Sequence, residues 1–244
     1  MKKPKLRTVE KYSPPYPLNR FPADFPLALG REIVYLLATR QTPRLEGPDW
    51  EEIFARLIQA HWKPSNVGLD DVVLGQTAWS AKTVKSPHPA ATKKVRLITG
   101  RNSPAYSYDA DKILKSKPEK IGEMVLSIWN ERVLGVKASF QHLRTVVIIK
   151  SNDLLELSVF EFDTVLFPVE IYEWRWNTNK NLEGFHLETK EHKFTWQPHG
   201  SQFTIIEHVP DDRLAIKIQR PSGLSREAVL NSLHFDSSWI TILK

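Results

Sequence analysis

The apolar positions along this chain switch between two periods. Leu27, Leu29, Ile33, Leu36 and Leu37 recur near helical spacing and predict a first helix over residues 28–41. Trp50, Ile53, Phe54, Leu57 and Ile58 fall at i, i+3, i+4, i+7 and i+8, one apolar face of a second helix. Asp49-Trp50-Glu51-Glu52 reads as its start, with Asp49 as N-cap and Glu52 at the third position of a capping box. That helix should end near Trp62, before Pro64.

The period then becomes that of strands. Residues 71–74 and 78–85 are β-rich runs around Gly75-Gln76-Thr77 and predict a hairpin. Residues 95–99 predict a strand. Pro118 opens a helix with Ile121, Val125, Ile128 and Trp129 on one face. Strands are expected at 145–149, 154–162, 171–176, 192–196, 203–206 and 214–218, then a short helix near 225–232 and a last strand at 239–243. The sum is a mixed α/β fold with a β-rich C-terminal half and no regular βαβ alternation. Residues 1–27, around Pro14-Pro15-Tyr16-Pro17, read as an extended arm. Residues 28–244 read as one domain, divided into a core of about 49–140 and a β-rich half of about 141–244.

Composition narrows the chemistry. The 244 residues include no cysteine, so disulfides, thiolate zinc sites and cysteine nucleophiles are excluded. Apolar runs stay below the roughly 18 residues that span a bilayer, and a cytoplasmic protein with no membrane partner is expected. No phosphate-binding glycine loop, dinucleotide fingerprint or HExxH is present. Ser80 has no GxSxG elbow around it.

In the hairpin, alternation puts Ala78, Ser80 and Lys82 on one face and Trp79, Ala81 and Thr83 on the other. Asp71 can then meet Lys82 at one end of a sheet. A carboxylate can hold a divalent metal that activates water, and oxygen ligands suit Mg²⁺. A lysine can orient the water or offset charge on a phosphate. A solvated turn would account for the same two residues.

Asp70-Asp71-Val72-Val73-Leu74 through Ala78-Trp79-Ser80-Ala81-Lys82 resembles the PD-(D/E)xK nuclease core of type II restriction endonucleases, over roughly residues 49–101. The resemblance implies a mixed sheet flanked by helices and Mg²⁺-dependent, sequence-specific cleavage of double-stranded DNA. It makes Asp71, Lys82, Glu51 and Ser80 the catalytic residues, with Asp71, Glu51 and the Ala81 carbonyl on the metal. Restriction enzymes are often dimers on palindromic DNA, so a homodimer is a further state to test.

Two departures stand out. The usual proline before the aspartate is missing, since Leu69-Asp70-Asp71 stands there, which leaves Asp70 in competition with Asp71. Ser80 replaces the acid two residues before the lysine, so a carboxylate must come from elsewhere. Glu51 lies roughly 90° from the centre of its helix's apolar face, and Glu52 nearly opposite that face. Glu51 is therefore the better donor, although a first-turn acid favoured by the helix dipole would look the same. Glu119 and Glu123 are more distant candidates.

Charge sharpens this picture. The net charge of +6 is mild, with 34 basic and 28 acidic residues. Yet residues 72–108 hold no acid and six cations: Lys82, Lys85, Lys93, Lys94, Arg96 and Arg101. The rest of the chain is neutral, with 28 of each sign. Such a segment suits a DNA backbone, with Asn102 as a further phosphate donor, although a solvated basic loop would look alike. Arg175, Asn177, Gln197, His199, Ser201 and Gln202, in two aromatic- and amide-rich turns, are candidate base readers. A DNA-binding module without catalysis is the main alternative, and a small-molecule hydrolase a further one.

Overall fold

The computed structural model describes residues 10–40, 42–64, 68–108 and 116–243. It is a mixed α/β structure with two sheets and, among the described residues, five α-helices. The first sheet has the spatial order β1 (His61–Trp62), β2 (Val72–Leu74), β3 (Thr77–Lys85), β5 (His142–Lys150), β6 (Glu156–Asp163) and β11 (Leu214–Lys217). Among the described residues only β3 and β5 pair in parallel. A parallel pair needs a crossover, and here it carries β4 (Lys94–Arg101), α3 (Pro104–Ser107) and α4 (Pro118–Lys137). The second sheet is antiparallel, in the order β4, β10 (Gln202–His208), β9 (His192–Gln197), β8 (Leu182–His186) and β7 (Tyr172–Trp176).

The side-chain period of β3 decides what each face of the first sheet meets. Trp79 and Ala81 join Val146 and Ile148 under α1 (Phe25–Thr39) and α2 (Gly47–Leu57), where Leu29, Ile33, Trp50 and Phe54 complete one core. Ala78 faces the other way, into a core shared with α4 and the second sheet. Farther along that face Val147, Ile149 and Phe160 meet Val95 and Leu97 of β4. Ser80 and Lys82 lie on this second face, in the seam between the two sheets.

Several elements differ from their sequence patterns. α1 starts at Phe25, so the arm ends earlier than residue 27, and Leu27 points to solvent at 73% exposure. The described part of the arm packs on the protein, with Tyr16 stacked on Trp79 and Phe21 on Phe25. Its basic residues 2–7 lie outside the described residues. α2 begins at Gly47 after Glu46, and Asp49 sits at the third position, where its carboxylate accepts from the Glu46 N–H (2.9 Å). Glu52 does not cap; it pairs with Arg56 one turn on.

α2 stops at Leu57, and His61–Trp62 become β1 because they pair with Val72 and Val73. β8 carries no clear alternating signal, since Gly184 interrupts it. Residues 239–243 form no strand: a 3-10 turn, Ser237–Trp239, is capped by Asp236, and the segment stays exposed. The division expected near residue 140 does not follow the sheets, because β5, β6 and β11 belong to the first and β4 to the second. No helix among the described residues is long and apolar enough to cross a membrane.

One glycine locks α4 to the second sheet. A Cβ on Gly122 would lie 2.2 Å from the Trp174 ring of β7. Gly122→Ala should therefore lose about 1–3 kcal/mol through overpacking. Gly135, on the same helix, faces open space, and Gly135→Ala should gain about 0.5–1 kcal/mol through helix propensity. Urea unfolding of the two variants checks both signs.

Candidate active site

The hairpin register builds the site. Val72 pairs with Trp79 across a tight turn in which Gly75 takes φ +55°. Extending the ladder by one residue sets Asp71 opposite Ser80, with its side chain in the seam. The Asp71 carbonyl accepts from the Lys63 N–H (2.8 Å), which fastens the residue to the end of β1.

Three groups converge on one carboxylate oxygen. Asp71 Oδ2 accepts from Ser80 Oγ (3.2 Å) and from the Ala81 N–H (3.0 Å). Lys82 Nζ lies 4.0 Å from the same atom. Asp71 is 4% exposed. Burial pushes its carboxyl above the usual range, against the opposing pull of Lys82 and of the Ala81 and Ser80 hydrogen bonds. The same burial weakens the Lys82 ammonium, which Asp71 and Glu51 support and Arg132 opposes.

The Asp70 alternative resolves by orientation. Asp70 turns away and pairs with Lys63 at 2.5 Å. Asp71 is the carboxylate inside the seam.

Glu51 reaches the same field from α2. Because α2 starts at Gly47, Glu51 lies beyond its first turn, where the helix dipole has faded. The Trp62 indole N–H donates to Glu51 Oε2 (3.3 Å). Burial, then Asp71, raises the Glu51 carboxyl, while Trp62 and Lys82 pull it down. Ending α2 early and placing Trp62 on β1 is thus what fixes this acid. Glu119 and Glu123 sit on the exposed face of α4.

Among the described residues no group of three or more His, Cys, Asp or Glu side chains gathers in a metal-binding cluster. The oxygen donors here are the two carboxylates and nearby backbone. The contact seen at Ala81 is made by its N–H, not its carbonyl.

The expected DNA-contacting residues divide. Lys94 pairs with Glu191 of the β8–β9 turn (2.6 Å). It sits at the opposite end of β4 from Arg101, about 23 Å away at 3.3 Å per residue. The acid-free segment is therefore not one patch. Lys85 and Lys93 are exposed, and Arg96 donates to Thr195 Oγ1 (2.9 Å). Arg175 stacks over Phe185 at 3.8 Å.

Two of the expected DNA contacts, one to phosphate and one to a base, are committed to the fold. Asn102 is fully buried and holds the Val125 carbonyl, which corrects its assignment as a phosphate donor. Asn177 Oδ1 closes its own turn by accepting from the Asn179 and Asn181 N–H groups. Ser201 takes φ +53° in the β9–β10 turn, and its carbonyl accepts from the Asn102 N–H. Gln197 is partly exposed beside that turn.

Arg101, His199 and Gln202 do meet, around one groove with Gly100, Gly200 and Arg132. Arg132, on α4, is the residue the sequence reading missed. Its signal is a cation three positions after Trp129, on the edge of the apolar stripe of α4.

No protein-family model, curated protein or solved structure matches the chain.

The shared field is measurable. Glu51 titrates above its ordinary range partly because Asp71 is charged, so Asp71→Asn should lower the Glu51 pKa. The same change removes the attraction that supports the Lys82 ammonium, so the Lys82 pKa should fall further. By linkage, the raised Glu51 value stabilises the fold below the ordinary carboxylate range, and that contribution is lost as pH rises through the raised value. Carboxyl and lysine NMR titrations of both proteins check the signs; an unmoved Glu51 curve would separate it from the site.

Proposed function

We propose that this chain is a divalent-metal-dependent endonuclease acting on double-stranded DNA, in the manner of a type II restriction enzyme. The observation that carries the reading is the buried Asp71 carboxylate held 4.0 Å from Lys82 on adjacent strands, with Glu51 in the same field. A buried carboxylate and a half-buried one, both with raised pKa values, form a site that a small hard cation would stabilise. The mixed sheet with α1 and α2 on one face agrees with the fold that the Asp71–Lys82 resemblance implies.

In this reading Asp71, Glu51 and the Ala81 carbonyl hold Mg²⁺. When bound there, Mg²⁺ supplies a water of lowered pKa and polarises the scissile phosphate. Ser80 Oγ and the Ala81 N–H fix the Asp71 carboxylate, so its second oxygen keeps one direction. Lys82 positions the attacking water or the phosphate and offsets the growing negative charge. The weakened ammonium suits a group that gives up a proton more readily than a free lysine does. Arg101, His199 and Gln202 contact DNA beside the cleavage site. Cleavage of both strands of a palindrome goes with a homodimer.

The test is incubation of the protein with supercoiled plasmid and Mg²⁺, followed by end mapping. Discrete fragments are expected. Asp71→Asn and Lys82→Ala should lower the cleavage rate at least about a hundredfold while circular dichroism stays native. Glu51→Gln should also impair cleavage, whereas Asp70→Asn and Glu52→Gln should cut normally. A gel shift with no cutting by the unmodified protein would favour the non-catalytic DNA-binding alternative.

Metal binding gives a second test. Protons compete with the cation for carboxylates whose pKa values are raised, so Mg²⁺ affinity should increase with pH through that range and uptake should release protons. Calorimetry in buffers of different ionisation enthalpy reads both. An affinity independent of pH would remove Glu51 and Asp71 from the metal site.

A further inference from the structure

We propose that Arg132 forms an anion site for a phosphodiester of the nucleic-acid backbone, flanking the phosphate on which Asp71 and Lys82 act. The identity of the phosphate rests on the nuclease reading; the anion site rests on its own geometry.

Arg132 is half-buried on α4, and its Nη1 donates to Asn102 Oδ1 (3.2 Å). That acceptor is rigid. Asn102 Nδ2 donates to the Val125 carbonyl (2.9 Å), its N–H to the Ser201 carbonyl (2.8 Å), and its own carbonyl accepts from Trp196 Nε1 (2.8 Å). The guanidinium carbon lies 5.9 Å from the centre of the Trp129 ring. On another side, a Cβ on Gly100 would come within 3.0 Å of both Nη atoms, and Gly100 has φ +126°. A glycine is needed there for both the backbone and the guanidinium.

This aimed cation lacks a matching anion. Among the described residues no carboxylate lies within the 4.0 Å of an ion pair with Arg132. Asp71 is the acid whose field reaches it, and that carboxylate is already engaged by Ser80, Ala81 and Lys82. Lys82 adds a second cation facing the same region.

A guanidinium has five donors, and one bond to Asn102 leaves the fork largely free for a ligand. Burying a cation without a counter-ion is unfavourable, so a bound anion would offset the cost. The groove beside it carries Arg101, His199 and Gln202, all donors suited to phosphate oxygens. The planar fork of arginine matches a phosphate in a way that a lysine does not.

The experiment follows the Arg132 Nε–H resonance of the full chain by NMR while inorganic phosphate, and then a short random-sequence duplex, is added without Mg²⁺. Both should move the signal. Arg132→Gln should weaken duplex binding about tenfold on every sequence and reduce the salt slope by about one. Arg132→Lys should keep the slope but not the full affinity. Thermal melts confirm that the variants fold, and the wild-type NMR arm stands even if one does not.

If phosphate moves the signal but duplex binds no better than phosphate, the anion site holds and the nuclease reading falls. If the plasmid is cut, yet phosphate leaves the signal unmoved and Arg132→Gln keeps full affinity and slope, the nuclease reading holds and this proposal is overturned.

Discussion

The seam between the two sheets is organised by one constraint: a carboxylate that must be buried. Taking an isolated charge out of water costs several kcal/mol unless it is paired and hydrogen-bonded. Asp71 meets that requirement within its own hairpin, through the Ser80 hydroxyl, the Ala81 N–H and the Lys82 ammonium, all on β3. The register is therefore fixed twice over. A slip by one residue would put Asp71 under α2 and turn the apolar residues that now face α2 into the seam. The same register puts Trp79 under α1 and α2, so the core on one side and the site on the other are two results of one pairing.

Trp79 carries that pairing further into the fold. Its indole N–H donates to Glu161 Oε1 (2.7 Å), which also accepts from the Tyr16 hydroxyl (3.0 Å). Arg144 lies 3.3 Å from the other oxygen of Glu161. Burial pushes this carboxyl up to about 7, against the pull of Arg144 and the Tyr16 and Trp79 hydrogen bonds. A second satisfied charge thus ties the N-terminal arm to the centre of the sheet. The two buried acids lie on opposite faces of the sheet, one joining the arm to it and the other lying at the candidate site.

The crossover between β3 and β5 supplies the far wall of the seam. It sends β4 into the second sheet and lays α4 across it, where Gly122 gives up its side chain to Trp174. That close approach brings Arg132 towards Asp71 and Lys82. It also brings together the ends of β4 and of the β9–β10 turn, so that Arg101, His199 and Gln202 share a groove although about a hundred residues of sequence separate them.

Local pattern decided much of this. The apolar stripes of α1, α2 and α4, the alternation in β3, and the pairing of Asp71 with Lys82 follow from helical and strand periods, which depend on near neighbours in the chain. The choice of Glu51 over Glu52 follows from the angle between them on a helix. Other features needed the tertiary structure. Trp62 is a strand residue because β2 offers it a partner, not because its own sequence ends a helix. Lys94 loses its free charge to Glu191, Asn102 is taken into the interior, and Arg132 is held by its hydrogen bond to Asn102. These are contacts between residues far apart in sequence. Their energies depend on desolvation and on the distance between charges, and neither exists until the sheets have met.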